Sequence, residues 1–138
     1  MSLLNSFNKV FIMGIGGSGM SSIAKYLKQK GYHVEGYDQR ISYITNILEN
    51  DGVRTYQNYE DFIYEKDVLY IISSAVNLNN TFLKNFKKNK NVISRPNFFR
   101  ELSNEKDIIG ITGTHGKTST TALVSHIFQF NNKNVSFI

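Results

Sequence analysis

A lysine and a threonine close a glycine-rich stretch near the end of the chain, Gly110-Ile111-Thr112-Gly113-Thr114-His115-Gly116-Lys117-Thr118-Ser119. Glycines placed between an apolar run and a helix leave backbone N–H groups free to surround an anion, usually the phosphates of a nucleoside triphosphate. Lys117 has the reach to contact the β- and γ-phosphates, and the hydroxyl of Thr118 is a typical Mg²⁺ ligand. The stretch therefore predicts a nucleotide site.

This loop departs from the strict phosphate-loop pattern G-x-x-x-x-G-K-[ST], because Ile111 stands where the first glycine belongs. Its flanks still favour a phosphate site, since an apolar run precedes it and apolar residues at helical spacing follow it. A simple turn between a strand and a helix would account for neither Lys117 nor the hydroxyl run after it. We predict a strand over 108–112, then the loop and a helix, with a further strand starting at 135.

A second glycine motif lies near the start of the chain, where Gly14, Gly16 and Gly19 follow the apolar run 10–13. Asp38 ends the next predicted strand, at a spacing typical of the dinucleotide fingerprint, whose glycines let a pyrophosphate approach the backbone. The spacing leaves two ligands open: NAD, with Asp38 on a ribose hydroxyl, and a nucleotide-sugar such as a UDP-sugar. The remaining alternative is glycines kept only for tight packing of a helix on a strand.

Predicted strands and helices alternate along the first hundred residues, which indicates an α/β fold with a parallel sheet and helices on both faces. Ligands of such sheets bind beyond the carboxyl ends of the strands, where loops 14–19, 38–40 and 73–76 all fall. Ser73 and Ser74 offer hydroxyls to a diphosphate or cap the segment after them, and Arg95 offers a bidentate guanidinium. We predict strands at 10–13, 33–37, 53–55, 68–72 and 92–93, and helices from 20, at 43–50, at 81–88 and at 97–102.

Composition excludes several classes of protein. The 138 residues include no cysteine, so disulfides and thiolate metal sites are absent, which fits a reducing compartment. Residues 1–8 do not resemble a signal peptide, and no apolar run approaches the roughly 20 residues that span a bilayer. The net charge is +5, and the lysines lie mostly in one amphipathic stretch, 84–90, which is typical of a solvated helix face. We therefore expect a cytoplasmic protein without a nucleic-acid or membrane partner.

Three motifs taken in order carry a resemblance to a known family. Gly14-Ile15-Gly16-Gly17-Ser18-Gly19-Met20-Ser21, then Ser73-Ser74-Ala75, then Gly113-Thr114-His115-Gly116-Lys117-Thr118 resemble the Mur ligases of peptidoglycan synthesis. The resemblance spans the whole chain but only about the first third of such an enzyme. It implies that residues 1–106 form a Rossmann-like domain that binds a UDP-sugar, and that residues 107–138 open a truncated central ATPase domain.

The resemblance also implies a reaction and a set of site residues. ATP would phosphorylate the carboxylate of UDP-N-acetylmuramate, and the amine of L-alanine would then displace phosphate, because a free carboxylate is a poor acyl donor. Lys117 and Thr118 would be catalytic, with Thr118 on Mg²⁺ and Lys117 neutralising the moving phosphoryl group. The implied UDP-sugar contacts are Gly14, Ile15, Gly16, Gly17, Ser18, Gly19, Met20, Asp38, Ser73, Ser74 and Arg95. The implied ATP contacts are Gly113, Thr114, His115, Gly116, Lys117, Thr118 and Ser119.

The downstream metal ligands and the amino-acid pocket of such enzymes have no counterpart in this sequence. We therefore expect the 138 residues to bind the UDP-sugar without ligating it. Three alternatives remain: a sister ligase that attaches a preformed peptide to the same sugar, an NAD-binding oxidoreductase or sensor, and a non-catalytic binding module. The apolar side chains of the terminal segment predict packing on the first domain or on a second copy of the chain, as a homodimer.

Overall fold

The computed structural model describes residues 3–76 and 89–138, and its centre is a five-stranded sheet. The strands are β1 (Lys9–Met13), β2 (His33–Tyr37), β3 (Arg54–Tyr56), β4 (Val68–Ile72) and β5 (Val92–Ser94). They lie in the order β3-β2-β1-β4-β5, and every neighbouring pair is parallel. The carboxyl ends therefore share one edge, and the order reverses between β1 and β4, the switch point where such sheets bind ligands.

Four α-helices accompany the sheet in the described residues. They are α1 (Ser18–Gln29), α2 (Tyr43–Asn50), α3 (Arg95–Ser103) and α4 (Lys117–Phe130), with 3₁₀ turns at Leu3–Ser6 and Tyr59–Asp61. The predicted α/β fold with a Rossmann-like parallel sheet is confirmed, whereas the predicted helix at 81–88 lies outside the described residues. None of these helices is long and apolar enough to cross a membrane.

The two faces of the sheet bury different side chains, because successive residues of a strand point to opposite sides. On one face Val10 and Ile12 of β1 pack under α1, α2 and α3, together with Leu69 and Ile71 of β4. The other face is aromatic: the rings of Phe11 and Phe62 lie 4.4 Å apart, in a cluster that includes Tyr37, Tyr56, Tyr59, Tyr64 and Tyr70. Among the described residues, the segment around Tyr59–Asp61 packs against this face.

Local signals set several helix ends. Gly31 follows α1 with a φ of +90°, a conformation that glycine adopts readily. Ser42 and Thr45 form a reciprocal capping box at the start of α2. Ser94 caps α3, whose first turn contains Pro96, where a missing N–H costs nothing.

The predicted strands at 108–112 and from 135 were wrong, since the structure has no regular strand in either segment. A strand needs a neighbour for its backbone hydrogen bonds, and neither segment pairs with a strand of the described sheet. Helix α4 forms nonetheless, because its hydrogen bonds are internal.

The terminal segment folds back towards α1 and α3. A cleft of about 760 Å³ separates Tyr26, Phe99 and Leu102 from Val124 and Phe128 of α4. Much apolar surface of the terminal segment stays exposed, as in Ile109, Leu123, Ile127 and Phe130, so its expected packing on the first domain remains a prediction. The expected homodimer remains a prediction.

A network of charged and polar groups joins the amino-terminal ends of β1 and β2. The buried carboxylate of Glu35 lies 3.0 Å from Nε2 of His33 and 3.4 Å from Nζ of Lys9, and it accepts a hydrogen bond from the Tyr56 hydroxyl at 3.1 Å. Burial opposes the charge, but hydrogen bonding to His33, the ammonium of Lys9 and the Tyr56 hydroxyl outweigh it. The pKa of Glu35 therefore lies below its ordinary value of 4.5.

Replacing the Glu35 carboxylate should make the free energy of unfolding less sensitive to a fall in pH. We expect Glu35→Gln to lower the free energy of unfolding by about 1–2 kcal/mol at neutral pH, because it weakens charge-assisted hydrogen bonds to a buried group. A pKa that is lower in the folded chain gives stability that is complete above pH 4.5 and is lost as the pH falls below it. Urea unfolding from pH 7 to pH 3 should show the gap between wild type and Glu35→Gln closing in acid. A constant gap would contradict the assignment, and Glu60→Gln, at an exposed carboxylate, serves as the control.

Candidate functional site

The first glycine loop is attached to the end of β2 by three consecutive N–H groups. Those of Gly14 and Ile15 donate to the carbonyl oxygen of Tyr37 at 2.7 and 3.1 Å. The N–H of Gly16 donates to Oδ2 of Asp38 at 2.8 Å. The loop after β1 is thus held by the neighbouring strand, and its backbone takes its position from the sheet.

A buried side chain of this loop also fixes it to the sheet. Ile15 is fully buried and lies over Gly36 of β2. A Cβ at Gly36 would fall 2.5 Å from Cδ1 of Ile15 and 2.6 Å from the carbonyl oxygen of Ile12, closer than atoms pack. The absence of a side chain at Gly36 therefore makes the notch that receives Ile15.

Two further predicted site residues approach the glycines of this loop. A Cβ at Gly14, whose φ is +81°, would lie 3.0 Å from Cβ of Ser73. A Cβ at Gly19 would lie 2.6 Å from Nη1 of Arg95. The structure therefore brings together the loops after β1, β2 and β4 and the residue that follows β5.

The backbone N–H groups between Gly17 and Ser21 differ in whether they have an acceptor. Gly17 donates to the carbonyl oxygen of Gly14, and Met20 and Ser21 both donate to that of Gly17. Within residues 3–76 and 89–138, the N–H groups of Ser18 and Gly19 have no acceptor, and Gly17 has no side chain with which to cap α1. Two free donors thus lie at the positive end of a helix.

Arg95 adds a full positive charge at the same place. No carboxylate of the described residues lies within ion-pair distance of its guanidinium, which is exposed next to Gly19. A guanidinium and a helix N-terminus repel one another unless an anion lies between them. This arrangement suits a doubly charged group such as a diphosphate.

The other predicted contacts differ in what they offer a ligand. Met20 and Ile15 are buried and belong to the core, so only their backbones face the loop. The hydroxyl of Ser73 accepts from the N–H of Ala75 at 3.3 Å, as a turn cap, whereas Ser74 is exposed. Sequence reasoning missed the carbonyl of Tyr37, because a backbone acceptor carries no residue-type signal.

The second glycine loop is open to solvent. Residues 112–120 are all exposed, and Gly116 has a φ of +77° where the chain enters α4. Nζ of Lys117 donates to the carbonyl oxygens of Gly113 and Thr114 at 2.5 and 3.3 Å. The N–H of Thr120 donates to the carbonyl oxygen of Gly116 at 2.9 Å, whereas the N–H groups of Thr118 and Ser119 have no acceptor among the described residues.

The residues around this loop fit a nucleotide better than a metal alone. The part of the chain that the structure describes holds no group of three or more His, Asp or Glu side chains able to enclose a cation. Thr118 offers only a single hydroxyl, and Mg²⁺ in nucleotide sites is held mainly by phosphate oxygens and water. No hydrogen bond or ion pair between described residues joins this loop to the first one.

Sheet order and loop geometry define a Rossmann-like α/β domain with a glycine loop at its switch point. The sequence model of the Mur ligase family, catalytic domain, matches residues 9–107. This match covers more than half of the chain, and the chain therefore belongs to the Mur ligase family.

Individual relatives agree with the family assignment. The UDP-N-acetylmuramate–L-alanine ligase of Christiangramia forsetii is 34% identical over 94% of this chain, which spans only 30% of that relative. The crystal structure of the UDP-N-acetylmuramate-alanine ligase MurC from Thermotoga maritima matches with a TM-score of 0.74 at 28% identity, over 88% of this chain and 29% of that one. The murein peptide ligase MPL from Neisseria meningitides matches with a TM-score of 0.74 at 25% identity, over 91% and 40% of the two chains.

Filling the notch under the loop should destabilise the domain. We expect Gly36→Ala to lower the free energy of unfolding by about 1–3 kcal/mol, because the new methyl group collides with Ile15 and with a backbone oxygen that cannot move away cheaply. Gly110→Ala is the matched control, since a Cβ there meets nothing within 4 Å. Urea unfolding measures the stability of both variants, and equal stability would refute the claim that Ile15 needs glycine at position 36.

Proposed function

We propose that the glycine loop after β1 binds the diphosphate of UDP-N-acetylmuramate, and that the whole protein joins an amine to the carboxylate of that sugar nucleotide in peptidoglycan synthesis. The observation that carries the proposal is that the N–H groups of Ser18 and Gly19 lie beside the guanidinium of Arg95, and that none of these groups has a partner among residues 3–76 and 89–138. The names of the relatives supply the sugar nucleotide, and family membership favours a ligase over an NAD-dependent oxidoreductase.

The arginine provides the most direct test of the first site. We expect Arg95→Ala to weaken UDP binding roughly 10- to 100-fold, because it removes charge-assisted hydrogen bonds to phosphate. Isothermal titration calorimetry of the 138-residue chain measures this loss. Arg100→Ala, an exposed arginine on the same helix, should bind UDP like the wild type. Equal affinities for the wild type and Arg95→Ala would contradict the proposed diphosphate site.

We further propose that the second loop, residues 113–119, holds ATP. The N–H groups of Thr118 and Ser119 at the start of α4 have no acceptor in the part of the chain that the structure describes, and the ammonium of Lys117 lies within the same turn. The loop is exposed enough to admit a triphosphate. Thr118 supplies a hydroxyl to Mg²⁺ in this proposal. When bound, ATP provides the phosphoryl group that makes a carboxylate reactive towards an amine.

A substitution of Lys117 should weaken the ATP site and leave the UDP site unchanged. We expect Lys117→Met to weaken Mg·ATP binding roughly tenfold, since the ammonium is the only full positive charge of this turn, and to leave UDP binding unchanged. Equilibrium dialysis with each nucleotide measures both, and Lys133→Met, at an exposed lysine beyond the end of α4, is the control. Mg·ATP binding that does not respond to Lys117→Met would count against the ATP loop.

The identity of the amine completes the proposal. We favour L-alanine, the amino acid named for the Christiangramia and Thermotoga relatives, over the peptide named for the Neisseria enzyme. Residues 1–106 are the UDP-sugar domain in this proposal and residues 107–138 the opening of an ATPase domain, in a cytoplasmic enzyme. We expect the 138 residues alone to form no ADP in the presence of L-alanine, because this proposal assigns none of them to an amino-acid pocket.

A further inference from the structure

We infer that Asp38 is a positioning residue that holds the first glycine loop in its diphosphate-binding shape, and does not itself bind the sugar nucleotide. The inference rests on the proposed diphosphate site and adds a role to a residue whose sequence position otherwise indicates a contact to a ribose hydroxyl.

The carboxylate of Asp38 bridges two loops. Its Oδ2 accepts the N–H of Gly16 at 2.8 Å, and its Oδ1 accepts the N–H of Arg40 at 3.1 Å. Its own N–H donates to the carbonyl oxygen of Tyr56 on β3 at 3.0 Å. Both carboxylate oxygens thus have backbone partners within the protein, and the residue is fixed to the sheet on a third side.

This bridge determines which donors of the loop remain free. With Gly14 and Ile15 bonded to Tyr37, the Asp38 carboxylate takes the third consecutive N–H, that of Gly16. A Cβ at Gly16 would lie 2.8 Å from Oδ2, so the approach of the carboxylate requires glycine there. The next donors without an acceptor in residues 3–76 and 89–138 are then those at the start of α1, the N–H groups of Ser18 and Gly19.

The negative charge of Asp38 makes the two roles distinguishable. A carboxylate that merely lines the site repels a diphosphate, and its removal would strengthen phosphate binding. If the carboxylate instead positions the loop, its removal would weaken phosphate binding, because the Gly16 N–H would lose its acceptor and the loop would lose its shape. A ribose contact would matter only for ligands that contain a ribose.

The experiment compares Asp38→Ala with Asp38→Asn, which have the same charge, using UDP and inorganic pyrophosphate as probes. We expect Asp38→Ala to bind both probes roughly tenfold more weakly, by the same factor, because a charge-assisted hydrogen bond is lost in each case. Asp38→Asn should recover most of the affinity, since its amide oxygen still accepts from Gly16. Asp51→Ala removes an exposed carboxylate after α2 and should change neither affinity.

A loss confined to UDP, or tighter pyrophosphate binding by Asp38→Ala, would overturn the inference. Amide hydrogen exchange of the ligand-free chain gives an independent reading: exchange at Gly16 should quicken roughly tenfold in Asp38→Ala and return towards wild type in Asp38→Asn. Unchanged exchange would also overturn it. If the wild-type chain bound neither probe, the proposed function would fail, whereas exchange at Gly16 would still support or refute the bridge.

Discussion

The attachment of the first glycine loop to the end of β2 is the constraint on which the rest of the site depends. Three consecutive N–H groups of the loop bond to Tyr37 and Asp38, and Ile15 fills the notch at Gly36. Since β1 and β2 are paired along their whole length, the loop inherits the rigidity of the sheet. The free donors at the start of α1 are therefore placed before any ligand arrives, which lowers the entropic cost of binding.

Charge is divided between the two edges of the sheet. At the amino-terminal edge, the ammonium of Lys9 lies within ion-pair distance of the carboxylates of Glu35 and Glu65. At the carboxyl edge, Arg95 has no such partner among the described residues and lies against a helix N-terminus. The first arrangement stabilises the fold without a ligand, whereas the second leaves a positive potential that an anion can satisfy.

The two glycine loops differ in what supports them. The first is bonded to a buried sheet, and each of its early donors has a fixed acceptor. The second follows a segment that forms no strand, and its lysine bonds to carbonyl oxygens of its own turn. The match to the family model likewise covers the first loop and ends at residue 107, before the second loop begins.

The sequence by itself determined the features that depend on residues close together along the chain. Apolar alternation and turn glycines predicted all five strands to within a residue or two and α2 at both ends, and the glycine spacing located the first loop. Tertiary structure alone decided that Asp38 bonds to Gly16, that Gly36 makes room for Ile15, and that Arg95 meets Gly19. It also decided that 108–112 is not a strand. The reason is physical: a helix or a turn closes its hydrogen bonds locally, whereas a strand or a close approach exists only when a distant part of the chain supplies the partner.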